Sequence, residues 1–281
     1  MDQFLNRPEF QSAVIPFIAA LLVYSGVRKF TAAGWLWAVF AAFLVSVGLI
    51  NGATITPLTG TRKIILLVLG SLIFAALAPY VIRRIELQRA VAPVLTILAL
   101  FWIFGKVVVR MDITGILLFL GGGLALVFWL AWGFACISRD DARLLGAGLG
   151  LLLGVGLSAA AGASALLGQL ALAMSAAVGG VLLAWVLTGK AARSESFDGT
   201  ISTLPYILAA ASFGLAATVF ARMPWQALIP LALIPFAVRL VTVKPGSRFL
   251  AALVYTLPGL VIALAVFFWV WQSGASSSSG Y

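Results

Sequence analysis

A polytopic α-helical membrane bundle is the fold class that three observations predict. Of 281 residues, 63% are hydrophobic and only 9% are charged, against roughly a quarter charged in a soluble domain. Mean hydropathy is +1.15. The apolar residues run in unbroken stretches near the roughly 20 residues that cross a bilayer as a helix, without the alternation of a barrel strand. A water-soluble fold of this size would lack the polar residues to cover its surface. A soluble enzyme, a disordered chain and a nucleic-acid-binding domain are therefore excluded.

Ten stretches qualify as spans: approximately 12–27, 34–50, 64–82, 90–109, 113–137, 142–161, 165–188, 203–221, 225–241 and 249–271. The first is short and carries Pro16; its basic pair, Arg28 and Lys29, follows the apolar run, which argues against a cleavable signal. The sixth and seventh are separated only by Gly162, Ala163 and Ser164 and read as a tight helical hairpin. The longest loops fall near 51–63 and 189–202, so residues 1–281 read as a single transmembrane domain. Residues 273–281, rich in Ser and Gly, read as a flexible tail.

Net charge is +10, from 18 Lys and Arg against 8 Asp and Glu. The bases sit in short loops, where they set orientation, and none forms a stripe for nucleic acid. The odd-numbered loops carry twelve: Arg28, Lys29, Arg83, Arg84, Arg89, Arg139, Arg143, Lys190, Arg193, Arg239, Lys244 and Arg248. The other side carries six: Arg7, Arg62, Lys63, Lys106, Arg110 and Arg222. This asymmetry predicts odd loops in the cytoplasm and both termini outside, in an integral protein of a bacterial inner membrane.

An inverted repeat is a further expectation. Pro16-Phe17-Ile18 and Pro205-Tyr206-Ile207 open the first and eighth spans, each followed by a tryptophan (Trp35, Trp225). Gly60-Thr61-Arg62 and Gly246-Ser247-Arg248 precede the third and tenth. An offset of seven spans would invert one unit relative to the other, a plan used by transporters.

Chemistry is sparse. There is no histidine and one cysteine, Cys136, which excludes histidine-ligated haem, zinc and iron–sulfur sites, His-based triads and internal disulfides. No cofactor, metal or catalytic residue is expected. Asp112, Glu86, Glu195 and Asp198 lie in loops or at span ends, so no acid is left mid-membrane for proton coupling. Asp140 and Asp141 suggest a metal–diphosphate site or, more simply, a cap for the sixth span. Cys136 reads as a small buried hydrophobe. Trp35, Trp37, Trp185, Trp225, Trp269 and Trp271 fit an interfacial belt, whereas Trp102, Trp129 and Trp132 read as packing residues.

Three sets of residues are candidates for a role. Gly146, Gly150, Gly154, Ser158 and Gly162 recur every four residues and form a small-residue ridge for close packing. The seventh span, with Ala171, Ser175 and Gly179 at the same spacing, is the expected partner; a protein partner or second copy is the alternative. A substrate path is suggested by Pro230, Pro235 and Arg239 in the ninth span, Pro258 and Gly259 in the tenth, and Gln169 in the seventh, since interior prolines break helices and free backbone groups. Gly121-Gly122-Gly123 marks either a bend or a close crossing in the fifth span. Finally, Thr59, Thr61, Arg62 and Lys63 at the third span could contact an anion or serve as a plain helix start.

Beyond the lipid bilayer itself, these features support three readings. The first is a small-solute carrier or channel. The second is a non-catalytic membrane subunit or assembly factor. The third is a membrane enzyme acting on lipid-linked phosphates.

Overall fold

The computed structural model describes residues 7–31, 33–52, 56–82, 84–162, 164–188, 201–221, 223–242 and 246–278. Arg83, Lys190, Arg193, Arg222 and Lys244, counted for orientation, lie outside the described residues, as do Ala163, Glu195, Asp198 and the end of the tail, 279–281.

The described residues are helical, without strands. In chain order the helices are α1 (Ile15–Val27, preceded by a π-helical turn at Phe10–Val14), α2 (Gly34–Asn51), α3 (Gly60–Val81), α4 (Ile85–Val108), α5 (Ile113–Ile137), α6 (Asp141–Ala161), α7 (Ala165–Thr188) and α8 (Leu204–Phe220). The ninth span is in pieces: a 3-10 turn at Trp225–Ala227, then α9 (Leu228–Ala232) and α10 (Ile234–Leu240). The last helix, α11 (Arg248–Ser278), takes in residues 273–278 of the expected tail. Among the described residues, nine helices are long and apolar enough to cross a membrane, and the broken ninth stretch lies between the last two of them.

Proline explains the irregular places. Pro16 has no N–H for the Ser12 carbonyl, and its ring would meet that carbonyl in an α-turn; the wider π turn just before it relieves both. In the ninth span, Pro230 and Pro235 remove two backbone donors within six residues. The α-helix stops at Leu233, whose N–H turns back to the Pro230 carbonyl at 3.1 Å, and α10 restarts with Pro235 in its first turn. By contrast, α5 runs unbroken through Gly121–Gly123 and α11 through Pro258.

The enclosed core is α6, α7 and α8. Every residue of 201–217 is buried, and 83% of the α8 span is enclosed against 17% of α5. α8 packs on α3, α4, α5 and α6, α1 and α2 pack on α7, and α11 lies along α6. α1 lies along α2, whereas α8 makes its main contacts with α3, α4 and α6; the two candidate repeat units are therefore packed differently.

The glycine ridge of α6 faces α11, not α7. A β-carbon at Gly146 would come within 2.8 Å of the Tyr255 carbonyl oxygen, and one at Gly150 within 2.7 Å of Gly259 Cα. Opposite Gly150, the second glycine lets the two backbones touch, the approach that small residues permit in a bilayer. Ser158 is buried on the same ridge, and Gly162 abuts Met223. α7 takes the neighbouring face, where Ser175 Oγ donates to the Leu149 carbonyl at 3.0 Å and Gly168 meets Ala160.

Contacts between helix ends follow the alternation of ten crossings. Arg28 reaches the Thr188 carbonyl, Thr31 meets Tyr80, and Arg143 meets Val241 at the end with the odd loops. Lys63 reaches Trp102, Phe104 stacks on Phe220 and Gly162 meets Met223 at the other. The first is called the basic end below.

Candidate functional site at the broken ninth span

Four helices offer a glycine to the broken span. Leu228 enters the notch at Gly214 of α8, Leu231 that at Gly154 of α6, and Ile234 that at Gly259 of α11. At Gly133 of α5, a β-carbon would fall 2.8 Å from the Phe236 ring and 3.0 Å from Pro235 Cβ. Phe236 packs onward against Trp129 and Trp132, with ring centroids 4.9 and 5.4 Å apart. The span is thus held by side chains set into backbone-deep notches, while its own prolines leave it short of internal hydrogen bonds.

Its basic end is held by Arg143. Asp140 caps α6, its carboxylate accepting from the Ala142 and Arg143 N–H groups at 3.0 and 3.3 Å, and also pairs with Arg143 Nε at 3.4 Å. Arg143 then crosses to the ninth span: Nη2 donates to the Val241 carbonyl at 3.0 Å and Nη1 to the Arg239 carbonyl at 3.5 Å. The guanidinium lies 4.8 Å from the centre of the Tyr255 ring of α11. One cation thereby meets the carbonyls left free at a helix C-terminus and ties three elements together. Arg239 donates to Cys136 Sγ at 3.1 Å.

The other candidate path residues are distributed unevenly. Gly259 joins the notches, and Pro258 precedes it, half-buried in α11. Gln169 is half-buried in α7, and its amide makes no hydrogen bond among the described residues. The Thr59–Lys63 segment is engaged locally. Thr59 caps α3 by accepting from the Arg62 N–H at 3.4 Å, and Arg62 donates to the Pro57 carbonyl at 2.8 Å. Lys63 donates to the Trp102 carbonyl at 2.9 Å and lies 5.1 Å from its ring centre. Thr61 is half-buried in the first turn. Thr54 and Ile55 of the preceding loop lie outside the described residues. Among the described residues, no group of three or more His, Cys, Asp or Glu is placed to hold a metal.

Several side chains sit where sequence position did not place them. Cys136 is exposed at the end of α5, because that helix is mostly uncovered. Trp185 is buried inside the bundle, which takes it out of an interfacial belt, and Trp35 is half-buried, its ring stacked on Tyr206. Conversely, Trp102, Trp129 and Trp132 are exposed on the outer helices.

A layer of buried polar atoms lies toward the basic end. Tyr206 is clamped between Trp35 and Phe134 in a near-parallel stack, with centroids 5.8 and 5.5 Å away. Its hydroxyl has no hydrogen-bond partner among the described residues. Among the described residues, Arg28 Nε, Gln88 Oε1 and Trp185 Nε1 are also buried without a hydrogen bond at this end, as is Arg143 Nε apart from its ion pair with Asp140, and Ser158 Oγ is so on the ridge. A groove between α4, α5 and α8, lined by Ile97, Leu100, Phe101, Phe119, Gly123 and Leu215, is apolar. Tyr206 entered the sequence reading only through the Pro205-Tyr206-Ile207 motif, and its hydroxyl at the head of an apolar run is the signal that marks it; Gln88, between Glu86 and Arg89, carries no such signal. For Gly133 and Gly214, isolated and without period, there is no such signal.

No family model matches the chain, and no curated protein or solved structure matches it. Composition, helices and packing make it a multi-pass α-helical membrane protein.

Proposed function

We propose that the chain is a small-solute carrier or channel whose working part is the broken ninth span. The observation that carries this reading is the break itself: a span cut by Pro230 and Pro235, poor in internal hydrogen bonds, yet seated against α5, α6, α8 and α11. Broken helices persist in membranes where protein covers the freed backbone or where it lines a path, and carriers place solute sites at such breaks. With no acid mid-membrane, solute contact falls to backbone carbonyls and buried hydroxyls, and coupling through a titrating carboxylate is absent from this reading. The twelve-to-six charge asymmetry supports a basic end in the cytoplasm, with both termini outside, in a bacterial inner membrane.

The test is flux across vesicles holding the purified protein, with small anions, cations and neutral polar solutes offered in turn. Flux of one class above that of empty vesicles is expected. Folded, correctly inserted protein that passes none of them overturns the reading.

A second reading, a non-catalytic membrane subunit, is favoured by α5. That helix is only 17% enclosed, and Phe128, Trp129 and Trp132 stand exposed along it. A stoichiometric partner retained in mild detergent would support it, and a strictly monomeric particle would count against it.

A further inference from the structure

We infer that Arg143 is a latch that fixes the basic end of the broken span to the static core, so that releasing it lets α10 leave its notch. The inference rests on the broken span being the moving part of the protein. Three observations support it. First, Arg143 is anchored on the fixed side: it belongs to the first turn of α6, a core helix, and pairs with the Asp140 that caps that helix. Second, its reach to the moving side runs to the carbonyls of Arg239 and Val241, the last groups of the span. These acceptors belong to the backbone, so the contact is set by Arg143 and not by the side chains of α10. Third, the guanidinium packs on Tyr255 of α11, one turn from Gly259, which takes Ile234 of the same span. A flat guanidinium fits this task; an ammonium would keep the charge but not the planar fork of separate nitrogens that spans two carbonyls, nor the ring stacking. The other half-buried arginine at this end, Arg28, caps α7 in the same manner through the Thr188 carbonyl. That contact joins two continuous helices, however, and holds no broken element.

The single cysteine of the chain allows a clean reporter. Cys136 is the sole cysteine, so a Cys136→Ser background carries no other thiol, and Val238, fully buried in α10, is the place for a new one. A thiol there meets a water-soluble maleimide when α10 lifts. The experiment follows labelling of Val238→Cys in the full Cys136→Ser chain in lipid nanodiscs, with the same chain unfolded in dodecyl sulfate marking the rate of an uncovered thiol. Arg143→Gln is expected to raise the rate about fivefold, the change that one lost hydrogen bond makes in an opening equilibrium. Arg143→Lys is expected to fall between it and the parent. If Arg143→Gln does not fold, Tyr255→Leu and Arg143→Lys serve in its place, each with a smaller rise. An Arg143→Gln protein that labels at the parent rate overturns the latch. Labelling that responds as expected in a protein without solute flux upholds the latch and removes the carrier reading instead.

Discussion

Gly150→Leu is expected to destabilise the bundle by about 3 kcal/mol or more, at the upper end of what overpacking costs. The reason is what the new side chain would meet. At most crowded sites a neighbouring side chain can change rotamer, but at Gly150 the nearest atoms are the Cα and carbonyl carbon of Gly259, the backbone of α11. That backbone cannot yield without moving a long helix off α6. Gly122→Leu is the matched control, since Gly122 has nothing within 4 Å of its missing β-carbon. Its α5 site is expected to tolerate leucine, or to gain slightly because glycine is a poor helix former. Thermal unfolding and size-exclusion profiles in the same detergent compare the two. Equal behaviour of the two variants would mean that α6 and α11 do not meet backbone to backbone.

The second large effect is expected at Gly133. A leucine there would drive into the Phe236 ring and Pro235, neither of which has a flexible end to fold away. The cost is about 1–3 kcal/mol, and it falls mainly on the seat of α10, because α5 is otherwise little enclosed. Adding Phe236→Ala is expected to recover part of the loss, because it empties the space the leucine needs; residues in contact couple in this way, whereas distant ones add. Thermal unfolding of the two single variants, the pair and the parent measures that coupling. Strict additivity would place Phe236 away from Gly133.

How much of this was legible in the sequence differs by feature. Among the described residues, nine of the ten expected spans are continuous helices, and those bounded by Thr59, Asp112 or Asp140 were legible nearly to the residue at their starts, because the apolar run carries its own cap. The irregularity of the ninth span was legible because Pro230 and Pro235 leave the backbone no α-helical choice. The partner of the glycine ridge was not. Spacing by four declares that Gly146, Gly150 and Gly154 share a face, but what covers that face is decided by Gly259, a single glycine far along the chain with no period of its own. Trp185 misled for a related reason: a position near a span end says nothing about whether neighbours surround the helix. Cys136 was read as buried because small apolar residues usually are, yet α5 lies at the rim. The role of Arg143 was hidden because its acceptors are backbone carbonyls at 239 and 241, and a carbonyl carries no sequence signature.

The central claim is that the ninth span is a separately movable element held in a fixed frame. Hydrogen–deuterium exchange of the protein in nanodiscs tests it most directly, since exchange reads local opening from minutes to hours. Amides of 225–241 are expected to exchange well ahead of those of 204–220, and faster again in Arg143→Gln. Protection of 225–241 as long as that of α8, unchanged by the substitution, would contradict it.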